Sequence, residues 1–303
     1  MHVFVTGGSG LTGPAVVAEL IAAGHTVTGL ARSDAAAARL ESLGAAPHPG
    51  SLDDLGSLRA GAEAAEGVLH MAFGGDFSDL DDMMRRDRTA IETLGGVLAG
   101  SGKPFVSTSG TLVMPAGRES TERDEPDPAG FAAFRIAGER ACLAFAGQGV
   151  RASVVRLAPT VHGPRDHGFI GMLVDTARKT GKSAYVGDGA NRWPAVHRLD
   201  AAVVFRLALE EAPAGSVLHA TAENVPFRSI AETIGRGLGL PVVSLTPDEA
   251  ATHFVSPFLA KAYGTDAPAS SAATRELLGW SPRHPALLDD VANGDYLHEV
   301  AAP

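Results

Sequence analysis

The stretch VFVTGGSGLTGPAVVAEL, residues 3–20, places four glycines within seven positions directly after an apolar run. Gly8, Gly10 and Gly13 fit the pattern G-x-G-x-x-G, and Gly7 with the last two also fits G-x-x-G-x-x-G. A strand before the glycines and a helix that opens at Pro14 are the context that the dinucleotide-binding fingerprint requires. Glycine lets the backbone approach a pyrophosphate closely, and the helix N-terminus supplies N–H donors with partial positive charge. This stretch therefore predicts a loop that holds the diphosphate of a dinucleotide.

Short β-rich runs alternate with longer segments of helical period through the first two hundred residues. The predicted strands are HVFVT (2–6), TVTGLA (26–31), AAPHPG (45–50), GVLHMAF (67–73), FVSTS (105–109) and RASVVRLA (151–158), and the predicted helices are 14–23, 35–44, 53–64, 83–102, 131–149 and 229–239. Such alternation predicts an α/β fold, a Rossmann-type doubly wound parallel sheet with right-handed crossovers. From about residue 159 the pattern loosens, which predicts a small C-terminal α/β substrate lobe. We assign 1–165 to the dinucleotide-binding core, with 195–222 returning to it, and 166–194 and 223–303 to the lobe.

Composition narrows the functional classes. The chain has 303 residues, 45% of them hydrophobic, and a net charge of −10. That charge argues against nucleic acid and anionic membranes as partners, because both require clustered basic surface. The apolar runs are too short to span a membrane, and the N-terminus lacks a secretory pattern. The single cysteine, Cys142, predicts a buried helix residue, and the sequence predicts a cytoplasmic protein that binds a small-molecule substrate.

The end of the second predicted strand bears on the choice of cofactor. The chain reads GLARSD (29–34), with Arg32 and Ser33 where an acidic residue would otherwise accept hydrogen bonds from the ribose 2′-OH. Arginine suits a 2′-phosphate because its guanidinium is planar and permanently charged. The sequence therefore predicts NADP(H), and Asp34, the next residue, keeps NAD(H) as the alternative.

Several motifs together resemble the extended short-chain dehydrogenase/reductases of the epimerase/dehydratase-like branch. VTGGSGLTG (5–13) resembles their cofactor loop, GSLDD (50–54) their adenine contact with Ser51 for the usual acid, and STSGTLV (107–113) their active-site serine/threonine strand. VLHMAF (68–73), VHGP (161–164), GDGANRWPAVHRLDAA (187–202) and LLGWSP (277–282) are also similar to family signatures. The resemblance implies a cofactor site made of Gly7, Ser9, Gly10, Leu11, Thr12, Arg32, Ser51, Leu52, Met71, Ala72, Phe73, Arg135, Pro159 and Val161. It also implies a homodimer built through the helices 83–102 and 131–149.

The reactive centre departs from the family pattern. The family carries Y-x-x-x-K on the helix after the serine strand, and alignment on Glu139 puts Phe131 at the tyrosine and Arg135 at the lysine. Phenylalanine carries no proton, and arginine binds ribose hydroxyls but does not deprotonate. On the same alignment Thr89 replaces the family's helix asparagine.

Another group must then donate the proton, or catalysis is absent. Ser109 and Thr111 lie on the strand that faces the substrate, so we expect them, with Arg135, to belong to the catalytic set. Histidine has a pKa near neutrality, and we therefore predict His162 or His167 as the acid. His70 and His197 are weaker candidates, since strand-end histidines are commonly structural.

Other patterns carry less chemistry. The histidines lack metal-ligand spacing, and the pairs Asp53-Asp54 and Asp81-Asp82 are typical of exposed helix starts. Arg192 and Trp193 either clamp a substrate or pack in a lobe loop.

The sequence predicts an NADP(H)-dependent oxidoreductase acting on a small organic carbonyl or alcohol. The alternatives are a nucleotide-sugar epimerase or dehydratase, and a non-catalytic NADP(H)-binding sensor.

Overall fold

The computed structural model describes residues 1–73, 79–254 and 256–298. Its strands are β1 (His2–Thr6), β2 (Thr26–Ala31), β3 (Ala46–Pro49), β4 (Gly67–His70), β5 (Pro104–Gly110), β6 (Arg151–Leu157), β7 (Thr160–His162), β8 (Ser183–Val186), β9 (Arg192–His197), β10 (Ser216–Ala220), β11 (Glu223–Pro226) and β12 (Val242–Leu245). Its α-helices are α1 (Gly13–Ala22), α2 (Asp34–Ser42), α3 (Leu55–Ala64), α4 (Leu80–Leu98), α5 (Ile136–Ala144), α6 (Phe169–Thr180), α7 (Arg198–Glu211), α8 (Phe227–Leu238), α9 (Pro247–His253), α10 (Pro257–Tyr263), α11 (Ala272–Leu278) and α12 (Leu287–Asn293).

Seven of these strands form one sheet in the order β10-β6-β5-β4-β1-β2-β3. Every neighbouring pair in it is parallel. The chain leaves β1 toward β3 on one side and then builds β4, β5 and β6 on the other. The order therefore reverses between β1 and β4, which is where doubly wound sheets open a crevice at the strand carboxyl ends. The predicted Rossmann-type fold is confirmed.

Helices cover both faces of this sheet. Helices α1 and α7 bury Val16, Leu20 and Phe205 against one face. Helices α3, α4 and α5 bury an apolar set on the other face, and that set includes Cys142. The free thiol is buried, as the sequence predicts, and burial raises its pKa above the ordinary value.

Two predicted helices, 83–102 and 131–149, differ by more than two residues at each end from the observed α4 and α5. Helix α4 begins at Leu80, earlier than predicted, because the Asp79 carboxylate accepts a hydrogen bond from the backbone N–H of Asp82 at 2.9 Å and caps it. The predicted helix 131–149 is regular only over α5, with tight 3-10 turns at 133–135 and 145–148. The acidic pairs do lie at helix starts, with Asp54 capping α3 and Asp81 in the first turn of α4.

The C-terminal part has a separate apolar core drawn from α6, α8, α10 and α12. A three-stranded sheet, β11-β9-β7, and a two-stranded sheet, β12-β8, belong to this region. Trp193 lies inside that core, fully buried, and its indole N–H donates to the carbonyl of Ala262 at 3.1 Å. Arg192 forms a two-pronged ion pair with Asp266, at 3.1 and 2.8 Å. Trp193 is therefore a packed lobe residue, whereas a substrate contact by Arg192 stays a prediction.

Candidate functional site

The glycine loop is shaped by contacts that exclude side chains. Gly7 has a φ of +78°, and a Cβ there would lie 2.6 Å from the backbone nitrogen of Ala72. A Cβ on Gly13 would lie 2.6 Å from the backbone carbonyl carbon of Gly8, and one on Gly10 3.2 Å from the Gly7 oxygen. Gly7 and Gly13 therefore require glycine, because the turn between β1 and α1 leaves no room for a side chain there, and Gly10 is tightly packed.

The N-terminus of α1 faces this loop without a side-chain cap. Thr12 is the N-cap residue, yet its hydroxyl makes no capping hydrogen bond, and the first turn carries no acidic residue. Helix starts leave backbone N–H groups unpaired and carry partial positive charge, a combination that binds phosphate. The loop and helix together fit the diphosphate of a dinucleotide.

A cleft of about 350 Å³ opens beside the loop, at the crossover between β1 and β4. Its lining is Gly7, Ser9, Gly10, Leu11, Thr12, Gly13, Leu30, Arg32, Gly50, Ser51, Leu52, Met71, Ala72, Phe73, Arg86, Thr108 and Leu157. The structure thus brings together all the predicted cofactor residues except Arg135, Pro159 and Val161. The volume is in the range of small-molecule sites, and the shape suits an extended cofactor.

Sequence reasoning missed part of this lining. Arg86 comes from α4 and ion-pairs with Asp53, while Thr108 and Leu157 lie near the carboxyl ends of β5 and β6. Thr108 and Leu157 could have been predicted, because both lie near the carboxyl ends of adjacent parallel strands. Nothing local in the sequence indicates that Arg86 reaches the cleft.

A second depression of about 330 Å³ lies beside β2 and α2. Arg32, Gly50 and Ser51 line both this depression and the cleft. Arg32 is exposed and pairs with no carboxylate in the part of the chain that the structure describes. Ser33 caps α2, its hydroxyl accepting from the Ala36 N–H at 3.3 Å. The exposed Arg32 is suited to a phosphate group, whereas Asp34, which lies in the first turn of α2 and also lines the depression, opposes one.

Arg135 lies behind the cleft wall. Its Cζ lies 3.5 Å from the centroid of the Phe73 ring, and one guanidinium nitrogen donates to the carbonyl of Thr108 at 2.6 Å. Its Nη1 lies 3.9 Å from the Asp87 carboxylate and is buried without a hydrogen-bond partner. Burial lowers the pKa of this guanidinium, and the Asp87 charge opposes the shift. Arg135 thus contacts two residues of the cleft lining and keeps one donor free.

A buried chain of polar groups supports Asp87 from β1 and β4. The ring of His70 contacts Asp87 through Nε2 at 3.3 Å and the Thr6 hydroxyl through Nδ1 at 2.8 Å. The Thr6 hydroxyl also accepts from the Ala72 N–H at 3.3 Å. His70 thus has a structural role, since it links the cofactor loop's strand to the counter-ion of Arg135.

The hydroxyls of Ser109 and Thr111 are buried, and neither has a partner among the described residues. Buried polar groups are nearly always hydrogen-bonded, so an unpaired hydroxyl at a strand's carboxyl end is a candidate ligand contact. The Thr89 hydroxyl, in contrast, donates a hydrogen bond to the Arg85 carbonyl of its own helix at 2.8 Å.

The predicted proton donors lie away from the cleft lining. His162 is buried on β7, where its Nδ1 contacts Asp290 at 2.7 Å, and His167 is exposed in the following loop. His197 packs edge-on against His162 at 5.3 Å, and burial with that neighbour lowers its pKa to about 4. The roles of His162 and His167 stay predictions.

None of the three tyrosines lines the cleft. Tyr185 lies on β8, Tyr263 is buried in the lobe core with its hydroxyl on the Phe169 carbonyl at 2.9 Å, and Tyr296 donates to Asp166 at 2.9 Å. Burial raises the pKa of both Tyr263 and Tyr296. The distant tyrosines therefore do not replace the missing one.

A second buried network of charged and polar groups connects strands β6 and β10 to helix α5. Arg156 makes a two-pronged ion pair with Glu139 of α5, and its Nη1 lies 3.3 Å from Nε2 of His219. Arg156 is in register with Ser109 on one side and His219 on the other. Glu139, the residue on which the family motif was aligned, is thus a structural partner that anchors α5 to the sheet.

No group of histidine, cysteine and carboxylate side chains suited to a metal ion occurs in residues 1–73, 79–254 and 256–298. Over the same ranges no helix is both long enough and apolar enough to cross a bilayer.

The fold and the cleft define a dinucleotide-binding α/β protein. The model of the NAD dependent epimerase/dehydratase family matches residues 3–220, and the chain belongs to this family. An uncharacterized protein of Schizosaccharomyces pombe is 46% identical over 98% of this chain and 100% of its own length. A 4-hydroxy-2-methyl-3-oxo-4-farnesyl-3,4-dihydroquinoline-1-oxide ketoreductase of Stigmatella aurantiaca is 30% identical over 73% of this chain and 68% of its own.

Solved structures share the fold across nearly the whole chain. The dTDP-glucose 4,6-dehydratase DesIV of Streptomyces venezuelae, solved with NAD bound, superposes with a TM-score of 0.78 at 20% identity, covering 96% of this chain and 95% of that one. Family membership and the reductases among its relatives make this protein an NAD(P)-dependent oxidoreductase.

Proposed function

We propose that the protein is an NADP(H)-dependent reductase or dehydrogenase of a small organic carbonyl or alcohol. The observation that carries this proposal is the cleft, where an uncapped helix start and an unpaired arginine, Arg32, lie at the two ends of one lining. The Stigmatella relative is named as a ketoreductase, which supports reduction of a ketone or aldehyde.

The residues then have distinct roles. Backbone N–H groups of Gly7 to Gly13 bind the diphosphate, Arg32 binds the 2′-phosphate, and Arg135 supports the nicotinamide end of the site through its contacts with the lining residues Phe73 and Thr108. When bound, the cofactor supplies or accepts the hydride. Ser109 and Thr111 donate hydrogen bonds to the substrate oxygen, where negative charge develops as a carbonyl is reduced.

The proton that completes this reduction needs a donor, and an alcohol is a poor acid near neutral pH. His162 and His167 remain the proposed donors. A His162→Ala, His167→Ala double variant with full turnover would exclude both.

A cofactor-consumption assay tests the proposal. Purified protein is incubated with NADPH and a panel of aldehydes and ketones, and loss of reduced-cofactor absorbance is followed. We expect turnover with at least one carbonyl and tighter binding of NADPH than of NADH. The absence of calorimetric heat with either cofactor would contradict the proposal at its base.

A second candidate is a cofactor-binding sensor without catalysis. Phe131 favours it, because an apolar ring packed against Phe258 at 5.6 Å stands at the tyrosine position. NADPH binding without turnover of any carbonyl, or of a nucleotide sugar, would favour the sensor. Turnover of a nucleotide sugar alone would instead identify an epimerase or dehydratase.

A further inference from the structure

Four phenylalanine rings form a connected cluster beside the cleft, here called the aromatic cluster: Phe73, Phe131, Phe134 and Phe258. The Phe73 and Phe134 rings are stacked with centroids 6.2 Å apart. Phe258 contacts both Phe134, at 6.4 Å, and Phe131, at 5.6 Å. The cluster thus joins three segments that are distant in sequence.

The position of the cluster links the cofactor site to the lobe. Phe73 lines the cleft just beyond β4, whereas Phe258 belongs to α10 of the lobe. Phe131 occupies the place that the family gives to its proton-donating tyrosine. The cluster therefore extends from the cofactor cleft toward the lobe, where open α/β sheets of this kind receive a substrate.

All four rings are only half-buried, in contrast to the sealed rings of Phe105 and Phe205. Connected aromatic rings that are partly exposed beside a cofactor cleft are suited to binding an apolar group. Ligand pockets combine such a surface with a few polar groups. Here those groups are the unpaired hydroxyls of Ser109 and Thr111 on the neighbouring strand end.

We propose that the aromatic cluster binds the apolar part of the substrate, so that the substrate class is carbonyl compounds carrying an aryl group or a similarly sized apolar group. The inference rests on the proposed reductase function and deepens it. The polar groups suit a single oxygen, and Arg192 of the lobe is already paired with Asp266.

Substrate selectivity tests the cluster. The ratio of kcat/KM for benzaldehyde to that for glyceraldehyde is measured with NADPH for the native chain, Phe134→Ala and Phe258→Ala. We expect the native ratio to favour benzaldehyde and to fall about tenfold in either variant, as expected from the loss of about 1.4 kcal/mol of binding. Phe258→Leu should keep most of the preference, since it keeps apolar volume.

Leu277→Ala is the matched control, because Leu277 is 47% exposed on α11 and remote from the cluster in sequence. Its ratio should equal the native one, and thermal unfolding checks that every variant is folded. An equal preference for the two aldehydes, or a ratio unchanged in both phenylalanine variants, would overturn the inference.

A binding measurement separates this inference from the reductase proposal. Benzamide and lactamide, which resemble the two aldehyde types but do not react, are titrated by calorimetry into protein saturated with NADP⁺. Preferential binding of benzamide that is weakened in Phe258→Ala supports the cluster even if no carbonyl is turned over. If the protein binds NADP⁺ but not benzamide, the proposal that the aromatic cluster binds substrate is refuted, whereas the reductase proposal is not.

Discussion

The guanidinium of Arg135 lies over the ring of Phe73, with Cζ 3.5 Å from the ring centroid. A cation over an aromatic face is attracted by the ring's quadrupole, and the attraction grows when both are desolvated. Phe73 lines the cleft, so this contact places a buried positive charge directly behind the cofactor site. The cofactor site and the buried charged groups of the sheet lead to five testable predictions.

Replacing Arg135 by Met should weaken cofactor binding. The change removes the charged hydrogen bond to the Thr108 carbonyl and the cation on Phe73, both of which hold residues of the cleft lining, and we expect a Kd for NADPH about tenfold higher. Arg135→Lys should give an intermediate Kd by calorimetry. Arg88→Met, at an exposed arginine of α4 that pairs with Glu92, is the control. An unchanged Kd in Arg135→Met would remove Arg135 from the binding site.

Asp87→Asn should destabilise the fold by about 3 kcal/mol, because it leaves the buried Arg135 charge without its counter-ion. The free energy of unfolding is measured in urea. In the double variant with Arg135→Met the loss should be smaller than the sum of the two single losses, as expected for coupled residues. Strict additivity would show that the 3.9 Å pair contributes nothing.

Arg32→Asp should change cofactor preference. The ratio of NADPH to NADH affinity should fall at least about tenfold, because a 2′-phosphate loses a cation and meets a carboxylate, whereas a 2′-OH gains an acceptor. Calorimetry with both cofactors gives the ratio. If the ratio stays constant, the 2′-phosphate contact is not made by Arg32.

Gly13→Ala should abolish cofactor binding, since the added Cβ would lie 2.6 Å from the Gly8 backbone and displace the loop. Gly96→Ala in α4 is a matched control, because its Cβ would meet nothing within 4 Å. The control should bind NADPH normally and gain up to about 1 kcal/mol of stability from helix propensity. Normal NADPH binding by Gly13→Ala would contradict the proposal that the glycine loop binds the cofactor diphosphate.

Stability should fall as the pH drops from about 6.5 to 4. His219 donates from Nδ1 to the Ser270 carbonyl at 2.8 Å, so its Nε2 accepts a hydrogen bond from Arg156. Protonation of Nε2 would place a positive charge against the Arg156 guanidinium. Burial and Arg156 lower the pKa of His219 to about 4. The unfolded state therefore binds more protons within this window, and folding is progressively disfavoured as the pH falls.

Urea unfolding at pH 7 and pH 4 measures the effect. We expect a loss of about 2–3 kcal/mol from His219, at about 1.4 kcal/mol per pKa unit. His219→Gln keeps an acceptor without a titrating group, so its loss over the same range should be smaller. Identical pH dependence in the two proteins would assign the loss to other groups, among them His197, whose pKa is lowered to about 4.

Local sequence was sufficient to predict the parallel sheet and the part of the site that the glycine loop forms. Strand β1, the glycine loop and the start of α1 are contiguous, and their geometry follows from glycine's backbone freedom and the missing helix cap. The β-α alternation led to the parallel sheet and its switch point. The buried cysteine followed from the same patterns.

The other half of the site depended on contacts that no local pattern encodes. Arg135 was expected at the nicotinamide ribose, but the sequence held no sign that it would lie on Phe73 beside Asp87. Arg192 and Trp193 are adjacent in sequence, yet β9 buries the indole and leaves the arginine to Asp266.

The sequence alone determined that this chain presents a phosphate-binding loop at the switch point of a parallel sheet, because the backbone requirements of that loop fall on neighbouring residues. Only the tertiary structure decided which side chains meet beside it. Phe73, Phe131 and Phe258 come together only when the lobe packs against the strand ends, and such contacts depend on the shapes of both packed surfaces.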